Sequence, residues 1–306
     1  MSGLTARKPR GSGMSSIVSR VGVKLCHELS VAGSKTAELA CAIENAGFDS
    51  LWLSEHLIMP GDVSSQYPYS DSGGRPFGGD TVWGEAPTCL GFLAGVTRNV
   101  RLGTAVIPAI TRHPLHLAKQ IATADRLSGG RVELGIGAGW LVEEARILGQ
   151  PYDHRSARLR ESIGILRSAW ADPVVAHDGE YWHIPACAVR PFPAQGSNVP
   201  IWIGGSGERA IGTCIDMGFG VILSNAEGVE AAVRVRAALP DGKRVAASVT
   251  LRGVDMSQAK ELSRQLLDAG ADTLILHPTE DPGQAMREIE AYSLEVLPVL
   301  REEVRA

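Results

Sequence analysis

Glu55-His56 sets a carboxylic acid beside an imidazole, a pair able to move a proton near neutral pH or only to position a ligand by hydrogen bonds. A single histidine at a strand end also serves structural roles, so both readings stand. Gly137-Ala138-Gly139-Trp140 follows an apolar run, and glycines placed there let a ligand approach the backbone because no Cβ intervenes. A tight strand-to-helix turn without a ligand is the alternative. A dinucleotide fingerprint fails, because its third glycine would fall at Trp140 and no acid ends a second strand at the required distance. Gly204-Gly205-Ser206-Gly207 runs straight into a helical segment. Free N–H groups and the helix dipole there suit a phosphate or other anion. The competing reading is an N-cap serine with flexible glycines.

His27, His56 and His277 end three further apolar runs and raise the idea of a metal hydrolase. No His-x-His pair, lysine or His-Asp set completes a ligand shell, and that weakens the idea.

These groups need elements to position them. Val21–Cys26 reads as a buried strand, followed by a helix from Ser34 to Ala46 that places Leu39, Ile43 and Ala46 on one face and stops at Gly47. Asp49–Leu53 is the second strand. A long polar insertion then runs from Leu57 to about Trp83, and its Tyr67, Tyr69, Arg75, Phe77 and Trp83 favour an ordered lid over a plain solvated loop. A helix over Glu85–Thr97, a third strand over Val100–Ile107 and a helix opened by Pro114 come next. Arg131–Ile136 is the fourth strand. Its helix carries Leu159, Ile163, Leu166 and Trp170 at spacings of four, three and four. His177–Ile184 reads as a hairpin with an Asp-Gly turn. Strands over Pro200–Ile203, Phe219–Leu223, Val245–Leu251 and Ala271–Leu276 follow, each with a helix behind it.

Eight strand–helix pairs in succession fit a closed (β/α)8 TIM barrel better than an open sheet. The expected architecture is therefore α/β: one barrel over residues 17–306, with a long loop after strand 2 and a small hairpin between helix 4 and strand 5. The strand ends then share one mouth, where barrel enzymes build their sites. Cys26-His27-Glu28, Glu55-His56, Thr104-Ala105-Val106, the two glycine loops and His277 all gather there in this reading.

Composition limits the partners. The 306 residues are 44% hydrophobic and 21% charged with a net charge of −4, ordinary values for a globular chain. No basic stretch beyond the N-terminus points to nucleic acid, and no apolar run approaches membrane-spanning length. The first sixteen residues read as a disordered tail without a secretory h-region, and Met14 is a candidate start. The five cysteines show no metal-ligand spacing and read as reduced, mostly buried thiols of a cytoplasmic protein.

Taken together, Gly47–Leu57 (GFDSLWLSEHL), Tyr67–Phe77 (YPYSDSGGRPF), Arg101–Pro108 (RLGTAVIP), His113–Trp140, Arg158–Trp170 and Pro200–Gly207 (PIWIGGSG) resemble the luciferase-like monooxygenase superfamily, in its coenzyme F420-associated branch. A weaker likeness appears in Gly270–Pro278. The resemblance implies a (β/α)8 barrel that binds a flavin or deazaflavin at its mouth, and a homodimer. It makes Glu55-His56 the acid–His pair beside the cofactor ring, although many members carry Asp where this chain has Glu55. Thr104-Ala105-Val106 would back the ring, with a non-proline cis peptide expected at Ala105–Val106. Gly137, Ala138, Gly139 and Trp140, with Gly204, Gly205, Ser206 and Gly207, would hold the cofactor's chain and phosphate. Tyr67, Tyr69, Trp83, His27 and His277 are the substrate-side candidates.

One departure narrows the substrate. Sugar-phosphate dehydrogenases of this family carry a glutamate where Trp140 stands. An indole cannot exchange that proton, and its apolar body favours a less polar small molecule or ring stacking. The implied activity is hydride transfer between coenzyme F420 and a small organic substrate, with Glu55 or His56 handling the proton. The alternatives are an FMN-dependent monooxygenase, in which reduced flavin activates oxygen, and a non-catalytic flavin-binding protein on the same barrel.

Overall fold

In the computed structural model, residues 20–25, 27–70, 73–75, 77–224 and 227–303 are described. The expected N-terminal tail and Cys26 lie outside them. Short runs of valine, isoleucine and leucine form the parallel strands β1 (Arg20–Leu25), β2 (Ser50–Leu53) and β3 (Arg101–Thr104). The short β4 (Ile107–Pro108) continues β3 beyond Ala105–Val106, whose peptide bond is cis. The third strand, expected to be continuous, is thus in two pieces. Next come β5 (Val132–Gly137), the antiparallel hairpin β6 (Val175–Asp178) and β7 (His183–Cys187), then β8 (Ile201–Gly204), β9 (Gly220–Ile222), β10 (Val245–Thr250) and β11 (Thr273–His277).

Helices follow the strands as α1 (Glu28–Val31), α2 (Ser34–Asn45), α3 (Ala86–Val96), α4 (Pro114–Leu127), α5 (Val142–Ile147), α6 (Arg155–Ala171), α7 (Glu208–Met217), α8 (Val229–Ala238), α9 (Met256–Asp268), α10 (Pro282–Glu295) and α11 (Leu297–Glu303). Their starts are written in the sequence. Asp255 and Gln258 form a capping box on α9, and Asp281 caps α10 just before Pro282. The short α1 and α5 were not anticipated, and the last helix, expected as one, is divided at Val296.

The sheet order is β3-β2-β1-β11-β10-β9-β8-β5, and β3 also pairs with β5 through Leu102↔Val132. The sheet therefore closes on itself as an eight-stranded parallel barrel with helices outside. The hairpin stands between α6 and β8, as expected, with Asp178↔His183 as its last pair.

Two fully buried tryptophans plug the barrel. Trp52 from β2 and Trp202 from β8 meet edge to face at 6.0 Å. Gly22, Gly103 and Gly220 leave the room these indoles need, since a Cβ at any of them would collide with a ring. Below them Glu133, 1% exposed, pairs with Arg20 at 2.7 Å and with Arg101, and accepts the Trp202 indole N–H at 2.7 Å. This plug fills the barrel toward the N-terminal ends of the strands, and the cavity described next lies at the C-terminal mouth.

Candidate active site

The mouth holds a cavity of about 370 Å³. Most of the expected residues reach its wall: Glu55 and His56 after β2, Ala105 and Val106 between β3 and β4, Gly137 to Trp140 after β5, Gly204 and Gly205 after β8, and His277 at the end of β11. The loop after β2 folds over this space and contributes Tyr67, Tyr69, Phe77 and Trp83.

His56 has the geometry that an acid–base group needs. Its Nδ1 lies 2.8 Å from Oε2 of Glu144, which is 1% exposed. A carboxylate there accepts Nδ1–H, fixes the tautomer and leaves Nε2 to accept or donate a proton. Glu144 Oε1 also accepts the Leu57 N–H at 2.8 Å, so one carboxylate orients the imidazole and anchors the start of the loop. Its neighbour Glu143 holds the loop further along through the hydroxyls and amides of Ser64 and Ser65. Those bonds draw the Glu143 carboxyl down to about 2.

Glu55 has a different setting. It is 2% exposed, 2.6 Å from the buried Arg112 guanidinium, and accepts the Ala86 N–H at 2.8 Å. Burial raises its pKa despite Arg112. Its carboxylate ties β2 to α3 and to the segment before α4, and of the expected pair only His56 has a nitrogen without a protein partner among the described residues.

Ala105, Val106, Gly137 and Gly204 make a close-fitted floor. A Cβ at Gly137 or at Gly204 would come within 3.0 Å of a Val106 methyl. Gly205 has φ +104°, a backbone region that glycine adopts readily. Glycine at 137 and 204 keeps side chains off this part of the floor, which leaves room for a flat ring system.

Four expected residues lie off the cavity wall. Thr104 is fully buried behind the floor, where its hydroxyl donates to Gly135 O at 2.7 Å and accepts from Gly135 N–H at 2.9 Å. Ser206 turns away to Glu227 and accepts from Arg234 at 3.0 Å. Gly207 is the N-cap of α7, which has no side-chain cap, so the first-turn amides are all that this loop offers an anion. His27 packs edge-on against Trp83 at 4.5 Å and lies 2.9 Å from Glu280. Among the described residues no group of three or more His, Cys, Asp or Glu could hold a metal ion. Of the cysteines, Cys89 and Cys214 are buried, whereas Cys41 and Cys187 are only half-buried.

An aromatic wall rises over His56. Its ring lies 5.1 Å from Trp83, 5.4 Å from Phe77 and 5.8 Å from Trp140, and Tyr67 touches Phe77 and Trp140 in turn. Trp140 is half-buried in this cluster. The Trp83 indole N–H is buried without an acceptor among the described residues. Burial, with Glu227 behind it, pushes the Tyr69 hydroxyl up to about 12. His277 is encircled by protein yet touches the cavity. Burial, then the charges of Lys24 and Arg252, lower its pKa well below the ordinary value, so it is neutral.

Sequence reasoning missed Glu144, Arg112, Lys24, Arg155 and Ser248. Some of them carried a signal. Glu143-Glu144 is an acidic pair directly after a glycine loop, and Lys24 is a charge inside the apolar run VGVKLC.

A family model described as luciferase-like monooxygenase matches residues 18–295. An uncharacterized protein of Mycobacterium tuberculosis is 31% identical over 177 residues, 58% of this chain and 62% of that protein. The chain therefore spans about three fifths of the length of that relative. An F420-dependent glucose-6-phosphate dehydrogenase of Amycolatopsis mediterranei is 30% identical over 234 residues, 74% of this chain and 64% of the relative. Among solved structures, the coenzyme F420 dependent tetrahydromethanopterin reductase of Methanopyrus kandleri superposes with a TM-score of 0.70 at 17% identity, covering 92% of this chain and 99% of that one. The FMN complex of a type II Baeyer–Villiger monooxygenase from Pseudomonas putida superposes at 0.68 and 17%, covering 92% and 98%. At such identities these likenesses speak for the barrel alone.

Proposed function

The chain belongs to the luciferase-like monooxygenase family, and on that footing we propose that it is an F420-dependent oxidoreductase acting on a small, largely apolar alcohol or carbonyl compound. The observation that carries this reading is the His56–Glu144 pair on a cavity wall shared with the Ala105–Val106 floor. The preference for F420 over FMN is supported by the F420-dependent dehydrogenase among the sequence relatives, since the FMN-binding neighbour is alike in fold only.

When bound, a deazaflavin supplies the hydride donor or acceptor. Ala105, Val106, Gly137 and Gly204 would receive its ring, and Gly205 with the first turn of α7 would hold its phosphate-bearing chain. Ser206, already bonded to Glu227, is left with a supporting role. The remaining work falls to the chain itself. His56 Nε2 takes the hydroxyl proton of an alcohol, or returns one to a carbonyl oxygen, while Glu144 holds the ring in place and stabilises the imidazolium. Tyr67, Phe77, Trp83 and Trp140 wall the reacting groups from water, and the free Trp83 N–H is a ready donor to a substrate oxygen. Glu55 organises the floor from behind and exchanges no proton.

Oxidation of reduced F420 by a panel of aldehydes and ketones under strict anaerobiosis tests this reading. Enzyme-dependent oxidation without oxygen is the expected outcome. Turnover that requires both FMN and oxygen would replace the proposal with a monooxygenase.

A further inference from the structure

The cavity has a second, differently built side on β1, β10 and β11, opposite Trp140. Gly22 and Lys24 share one face of β1, and Gly22 faces Trp52 inside the barrel. Ser248 follows the inward Ala246 on β10, and His277 follows the inward Ile275 on β11. The strands β10, β11 and β1 are consecutive neighbours, and β11 lies opposite β5 in a closed eight-stranded ring. Lys24, Ser248 and His277 therefore converge on one side of the mouth, and all three line the cavity.

The charge balance of this side is incomplete. Lys24 is half-buried, and no hydrogen bond or ion pair to its ammonium is found among the described residues. The other cation on the cavity wall, Arg155, donates to Gly139 O at 3.0 Å and stacks on Tyr152 at 4.5 Å. Among the described residues the one acid on the wall, Glu55, is taken by Arg112. Glu280 is spent on His27 and Arg252. Among the described residues Ser248 has a long contact to Leu223 O at 3.4 Å. An ammonium on a cavity wall with no protein partner among the described residues is available to an anion, and a charge-assisted bond to a carboxylate is among the stronger ones available.

We propose that Lys24, Ser248 and His277 form an anion subsite that receives a carboxylate of the substrate, so that the substrate is an apolar molecule bearing one carboxylate. This rests on the reading of the cavity as a cofactor and substrate site. The apolar body lies against Tyr67, Phe77, Trp83 and Trp140, and the carboxylate reaches across to Lys24. His277, kept neutral, adds a hydrogen bond without adding charge. A negatively charged edge of the cofactor is the other source of the same chemistry, and the test separates the two.

The experiment is calorimetric titration of the cofactor-loaded protein at pH 7.5 with 3-phenylpropanoate and with its uncharged amide. The acid should bind at least tenfold more tightly than the amide. Lys24→Met should erase that preference while leaving affinity for the amide unchanged, Lys24→Arg should keep it, and Lys24→Gln gives the same readout should the methionine variant fail to fold. Equal affinities in the parent protein, or a preference that survives in Lys24→Met, would overturn the proposal. A tenfold loss of cofactor affinity in Lys24→Met would overturn it too, by assigning the lysine to the cofactor. The same titrations on the apo-protein decide the subsite even if neither F420 nor FMN binds, an outcome that would count against the proposed function alone.

Discussion

Glu144 and His56 are 88 positions apart in the chain and 2.8 Å apart in the site. Because the second oxygen of Glu144 takes the Leu57 N–H, the His56 imidazole and the root of the loop share one anchor. Ring orientation and loop position are thereby mechanically linked, since the imidazole cannot shift without disturbing the residue that follows it.

His56→Ala should lower turnover by about 100-fold or more, the usual contribution of a positioned acid–base group. Cofactor affinity should stay within threefold. Glu144→Gln should lose a similar share of turnover and also raise KM, because the loop loses its charged anchor. Steady-state kinetics on the two variants check both points. A Glu144→Gln enzyme of normal kcat would separate the carboxylate from catalysis.

Gly204→Val should weaken cofactor binding by tenfold or more and leave the barrel folded. Its Cβ needs Val106 to give by only a few tenths of an ångström, while its methyls would stand on the floor where the ring lies. Gly205→Val should cost cofactor affinity as well, with an added stability loss of about 1–2 kcal/mol because φ is +104° there. Fluorescence titration and thermal melts separate the two effects.

Trp140→Glu tests the aromatic wall. It puts a carboxylate in place of the indole, whose ring now lies 5.8 Å from His56, 5.3 Å from Tyr67 and 6.4 Å from Phe77. Turnover of apolar substrates should fall by at least tenfold, and the parent protein should not oxidise glucose 6-phosphate. Sugar-phosphate oxidation by the parent protein would show that the indole does not set substrate polarity.

Acid stability should track Glu133. Arg20, Arg101 and Arg244 hold its carboxyl at about 2 against an ordinary 4.5, despite burial. A depressed folded-state pKa contributes stability that is present above about pH 4.5 and is lost as the pH falls toward 2. The shift corresponds to about 3 kcal/mol. Glu133→Gln should therefore melt earlier at pH 7 and lose much less stability than the parent between pH 5 and pH 3. Parallel pH profiles for the two proteins would contradict this.

The barrel was legible because each strand and each helix announces itself locally. Apolar runs end in glycine or a polar group, and Leu159, Ile163, Leu166 and Trp170 keep a helical period. The resemblance also located the Ala105–Val106 cis bond and most of the mouth. What escaped were the pairings of side chains between distant segments. Nothing in Glu55-His56 shows that Glu55 is claimed by Arg112 and that His56 is served by Glu144. Ser206 has the right type and place for a phosphate loop, yet Glu227, 21 positions later, binds its hydroxyl. Such contacts are set by how the strands are arranged around the ring, which local periodicity does not encode.

Titration of the purified apo-protein with F420 and with FMN, side by side, decides the proposed cofactor. F420 should bind at least tenfold more tightly. A tenfold or greater preference for FMN would contradict it.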